Sequence, residues 1–140
     1  VSLYRPAPIL TAAAAQLTSV LPATVSGVAL KVEVDAATWS APQVILEQVD
    51  GPTMTALGMG GPSWAVLGFQ VTCVAATRTA ARLMGDLVRE ALAGQDRHGR
   101  PLHQLEPAGF TVVVVTSDND GRITQDNPCT WVETYRVRYQ

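Results

Sequence analysis

The segment from Trp64 to Ala75 constrains the fold more than any other. Ala65, Leu67, Phe69, Val71, Cys73 and Ala75 place apolar side chains at every second position, while Gln70 and Thr72 fall on the opposite face. That alternation is a long strand whose apolar face needs a second layer packed against it. The residues that follow provide one. Thr77 suits a helix N-cap, the apolar periodicity runs to about Ala93, and Gly94 supplies the stop. On that helix Ala80, Leu83, Met84, Leu87, Val88, Ala91 and Leu92 share one half of the wheel, with Arg78, Arg82 and Arg89 opposite.

The other elements read in order around this pair. Pro8 to Leu21 is an alanine-rich helix that begins on a first-turn proline and is ended by Pro22. Val28, Leu30, Val32 and Val34 alternate with polar neighbours as a half-buried strand, and Gln43 to Val49 reads as a second strand. Gly51 to Pro62 is expected to be a loop, too glycine-rich for a strand or helix yet carrying Met54, Leu57 and Met59. Phe110–Thr116 and Cys129–Tyr139 are the last strands. Ser117–Asn127 is a turn region in which Asp120-Gly121 suits a tight hairpin. The order α-β-β-β-α-β-β predicts an α+β fold: a mostly antiparallel sheet with two helices packed on one face. The expected core includes Val28, Leu30, Val32, Leu67, Phe69, Val71, Leu83, Leu87 and Val113.

Composition narrows the function classes. The 140 residues suit one domain spanning 1–140, and 47% hydrophobic against 16% charged residues excludes a disordered chain. A net charge of −2 gives no global field for nucleic acid or an anionic membrane. No apolar run is long enough to span a bilayer, and no basic-then-apolar leader is expected. Cys73 and Cys129 lie in apolar alternating segments and read as small core residues. Lys31 is the only lysine against nine arginines, a bias that follows GC-rich coding.

No enzyme motif passes its mechanical test. Gly58-Met59-Gly60-Gly61 lacks the preceding strand and following helix of a phosphate cradle. Asp118-Asn119-Asp120-Gly121 resembles half a calcium loop, but that register puts Thr116 and Asn127 where carboxylates are needed. His98 and His103 share a polar loop without the further ligands that zinc requires nearby. A Gly-x-Ser-x-Gly elbow is missing too. The expectation is a non-enzyme with no catalytic residue, metal or cofactor. The arginine stripe admits phosphate contact or a salt-bridged protein contact, but Asp86 and Glu90 beside it favour an ordinary solvated face.

The helix, three strands, helix, two strands order resembles the tail-terminator proteins of long-tailed bacteriophages. The opening helix Pro8–Leu21 leading into Val28–Val34 carries part of the likeness. So do the loop 50–63 feeding Trp64–Ala75 and then Thr77-Arg78-Thr79-Ala80-Ala81-Arg82-Leu83-Met84. The third part is Val88–Gly94, a polar loop, and a hairpin closing on Tyr135-Arg136-Val137-Arg138-Tyr139. The likeness spans nearly the whole chain but rests on order and texture. The arginine- and alanine-rich usage is similar to that of phages with GC-rich actinobacterial hosts.

This resemblance implies a structural virion protein, assembled in the host cytoplasm, that caps the tail tube as a hexameric ring. Its implied partners are other copies of itself, the tail-tube protein and head-neck connector proteins. Genome DNA would pass through the ring without sequence-specific binding. Head-closure or adaptor proteins and tail-tube subunits are the nearest alternatives, and a small-molecule-binding α+β domain is the alternative from another class. A closed ring needs two different patches that meet. Met54, Leu57 and Met59 of the loop 51–62, with Trp64, Arg78, Arg82 and Arg89, are the candidate subunit or partner contacts. The loop could equally be a flap folded on its own sheet.

Overall fold

The computed structural model describes residues 5–56, 63–118 and 121–140. Helix α1 spans Ala7–Val20, with Pro6 and Pro8 at its start, where missing N–H groups cost nothing. Ile9, Leu10, Ala13 and Leu17 form its buried stripe, and Leu21 closes the last turn by donating its N–H to the Leu17 carbonyl. Helix α2 spans Arg78–Ala93. The Thr77 hydroxyl accepts from the Ala80 N–H at 3.1 Å, as the N-cap reading requires. Gly94 ends α2 in an extended conformation. A Cβ there would collide with the Glu90 carbonyl oxygen.

Strand β3 (Lys31–Val34) runs parallel to β4 (Gln43–Ala56), which pairs antiparallel with β5 (Ser63–Ala75). Next comes β8 (Cys129–Tyr139), flanked by β6 (Val112–Ser117), in the order β3-β4-β5-β8-β6, with β7 (Arg122–Asp126) also on β8. The fold is thus α+β, with a mostly antiparallel sheet and both helices against it. Ile9, Ala13 and Leu17 of α1 join Met84, Val88 and Leu92 of α2 in a core with Leu46, Phe69, Val71, Tyr135 and Val137 of the sheet. The ring of Phe69 stacks on Tyr135, and Phe110 meets Tyr139 edge-on.

Several expectations are corrected. The strand expected over Val28–Val34 is two pieces, because positive φ at Ser26 and Gly27 turns Thr24–Val25 (β1) onto Val28–Ala29 (β2) as a separate ribbon. Val28 is consequently 54% exposed and lies outside the core. Only Lys31–Val34 joins the main sheet; Val32 within it and Leu30 just before it are partly buried against the core. The loop expected from Gly51 begins as strand instead. β4 continues to Ala56, with irregular register between Gln48 and Thr53 absorbing Gly51 and Pro52. The remainder of that loop, 57–62, lies outside the described residues.

At the C-terminal end, the turn region hides β7. β6 and β7 follow one another along the same side of β8, and the hairpin into β8 turns at Asn127-Pro128, a cis peptide, instead of at Asp120-Gly121. Val113 sits at an irregularity between Val112 and Val114 that puts it 50% exposed, against expectation.

The face of α2 is also turned. Its buried residues are Ala81, Met84, Gly85, Val88, Ala91 and Leu92, a stripe centred about 60° from the expected one at 100° per residue. Leu83 is therefore 57% exposed instead of core, and Leu87 is only partly buried. The cause is Trp131, which occupies the space against Gly85. A Cβ at Gly85 would come within 2.5 Å of Trp131 Cδ1, and one at Gly121 within 2.5 Å of its Cζ2. The two glycines admit the indole between helix and sheet, and the helix presents its small side instead of Leu83.

Candidate subunit interface

Register separates the two faces of the sheet, since partners across a ladder point the same way. Phe69, Val71, Glu133 and Tyr135 face the helices, while Trp64, Gln70, Arg136 and Arg138 face away. On the outward face Arg138 lies over the Trp64 ring, 5.0 Å from its centroid. Arg136 reaches Asp118 at 3.4 Å. Gln43 also points outward and is buried, because the 35–42 connection crosses above it. Its side chain accepts from the Ser40 N–H at 2.9 Å and donates to the Thr38 carbonyl at 3.4 Å.

The candidate contact residues whose side chains are described, Trp64, Arg78, Arg82 and Arg89, do not form one patch. Trp64 is half-buried on the outward face. The backbone of Met54 pairs with Ala65 in the β4–β5 ladder, while Leu57 and Met59 lie outside the described residues. Arg78 is exposed and reaches Asp126 at 3.5 Å. Arg82 is exposed beside Leu83 and Asp86 in a shallow groove.

Arg89 departs from the solvated face expected of it. Its guanidinium turns to the sheet and donates to Glu133 from Nε at 3.0 Å and from Nη2 at 2.5 Å. Glu133 is 2% exposed, and Asp86 and Glu90 are not the hydrogen-bond partners of Arg89. The same carboxylate accepts from Ser117 Oγ at 2.5 Å and from the Tyr135 hydroxyl at 2.9 Å. The pairing with Glu133 raises the pKa of Arg89. Burial, reinforced by the Glu133 charge, raises that of Tyr135. Burial first and Glu133 second push the Cys73 thiol to about 12.

This network ties α2, the end of β6 and the middle of β8 through one carboxylate. A signal for it stands in the sequence. Glu133 falls at the inward parity of a strand otherwise carrying Cys129, Trp131, Tyr135, Val137 and Tyr139, and a buried acid requires a cation.

Cys73 and Cys129 are free and buried, as expected of core residues. His98 Nε2 accepts from Arg97 Nε at 3.2 Å within the loop. Among the described residues no group of three His, Cys, Asp or Glu side chains could hold a metal. The hollow between the end of α2 and β6, lined by Leu92, Leu105 and Val112, has about 20 Å³, the room of one water. No helix among the described residues is long and apolar enough to cross a membrane. No family model and no curated protein matches this chain.

Proposed function

We propose that this chain is a structural subunit of a ring that caps the tail tube of a long-tailed bacteriophage, as the resemblance in element order implies. The observation that supports the reading most is the placement of that order in space. Both helices pack against one side of the sheet, and a long β4–β5 hairpin precedes α2, which leads to the closing β-ladder. Trp64 and the outward arginines Arg136 and Arg138 then lie on the side away from the helices. Tryptophan and arginine are the residues that most often anchor protein contacts.

In this reading the protein is a non-enzymatic virion component whose partners are its own copies, the tube protein and the head-neck connector. The buried Arg89–Glu133 network keeps the helix layer fixed on the sheet while the outer face makes contacts. Native mass spectrometry of the purified chain over a concentration series tests the proposal. A closed oligomer, six copies for a terminator-like ring, supports it. A monomer at every concentration overturns it, and a melting temperature that then rises with a small ligand favours a binding domain.

A further inference from the structure

The charges on the outward face are sorted by flank. On the β3–β4 flank Glu33 is exposed, Glu47 is half-buried, and Asp35 stands exposed where β3 ends, with Lys31 the opposing charge. On the opposite flank Arg122 of β7 is exposed, as are Arg136 and Arg138 of β8, with Asp118 against Arg136. The middle of that face carries the uncharged Gln70, Thr72 and Thr134. One flank is therefore acidic and the other basic.

The strand edges add a second element. β3 pairs with β4 only as far as Leu46, so Glu47–Ala56 has no strand on its outer side among the described residues. β6 ends the sheet on the other side. β4 and β8 run one way while β5 and β6 run the other. A rotation about an axis along the strands would then set the β6 of one copy antiparallel to the β3–β4 edge of the next. Antiparallel is the more stable pairing.

We propose that copies of this chain join side by side, the acidic β3–β4 flank of one against the basic β6–β8 flank of the next. This deepens the ring reading and rests on it. The contact is heterologous, with two different patches meeting, so it propagates around an axis and closes when the rotation allows. Charge complementarity selects which edge meets which: two acidic flanks, or two basic ones, repel. The edge of β4 that has no described strand beside it is thereby covered by a partner of defined sign, leaving it no longer open to indiscriminate pairing.

The test uses the full chain in three forms, with sedimentation velocity as the readout and circular dichroism as the check on folding. Glu33→Arg with Glu47→Arg makes both flanks basic; Arg122→Glu with Arg138→Glu makes both acidic. Each variant alone should need at least about tenfold more protein than wild type to assemble. An equimolar mixture of the two should assemble again, and so should a single chain carrying all four changes. Wild-type assembly should weaken as salt is raised. If wild type assembles and the reversals leave it unchanged, or if neither mixing nor the four-fold exchange restores it, the flank contact is wrong while the ring reading stands. If wild type is monomeric throughout, both fall.

Discussion

Replacing Arg89 with alanine should be among the most damaging changes to α2, although Arg89 itself is 39% exposed. The reason is what it leaves behind. Glu133, 2% exposed, would keep the Ser117 and Tyr135 hydroxyls as donors, with no cation paired to it among the described residues. Removing one partner of a buried ion pair costs roughly 3–5 kcal/mol. The partial exposure of Arg89 lets water approach the vacated site, which places Arg89→Ala near the lower end, about 3 kcal/mol. That corresponds to a melting temperature lower by roughly 10 °C for a chain of this size.

Replacing both residues, Arg89→Met with Glu133→Leu, removes the charges together and should recover at least about half of the loss, since a buried pair barely offsets its own desolvation. Urea unfolding at fixed protein concentration, followed by near-ultraviolet circular dichroism, measures all the variants and the coupling between the two sites. A cost for Arg89→Ala below about 0.5 kcal/mol, the size of a surface change, would refute the reasoning. A double variant worse than the sum of the singles would refute it too.

Other consequences follow from packing and protonation. Met84→Ala should cost about 2–5 kcal/mol while Leu83→Ala stays within about 0.5, and equal effects in urea unfolding would contradict the turned helix face. Gly85→Ala, which elsewhere in a helix gains up to about 1 kcal/mol, should instead destabilise by about 1–3 kcal/mol through its collision with Trp131. Trp131→Phe should relieve part of that loss, and a stabilised Gly85→Ala would show the contact to be soft. Cys73 keeps its proton in the fold up to about pH 12, whereas an unfolded thiol loses it near 9.0. The unfolded state therefore binds fewer protons between those values, and stability must fall as pH rises from about 9 toward 12. Cys73→Val should flatten that slope in alkaline unfolding curves, and an unchanged slope would remove Cys73 as a source.

The elements with strong periodicity are legible: both helices and the β5 strand follow from apolar spacing and caps, whereas the antiparallel pairing of the final strands is right although the Asp120-Gly121 hairpin that suggests it is not the turn that forms. What escaped was governed by small residues and local backbone. The wheel of α2 ranks Leu83 above Gly85, yet absence of a side chain at Gly85 is what lets Trp131 in and rotates the buried face. Ser26-Gly27 cut a continuous alternation into two strands, because a two-residue turn acts on φ and not on hydropathy. Gly51 and Pro52 disguised the second half of β4, since an irregular ladder tolerates residues that a regular strand rejects. β7 was hidden by its polar, exposed composition. By angle alone Arg89 groups with Arg78 and Arg82. Its buried partner sits in a distant strand and could be found only by asking what neutralises Glu133. Of the candidate contacts, Trp64 falls on an outward face beside arginines, whereas the described part of the expected loop, 51–56, is strand.

The proposed ring is a closed assembly of equivalent copies. Electron microscopy of the purified protein at concentrations where mass spectrometry reports assembly tests it most directly. Class averages of a closed ring with a central opening and equivalent subunits meeting edge to edge are expected. Compact particles without an opening, or two-fold dimers that bury the same surface on both copies, would contradict it.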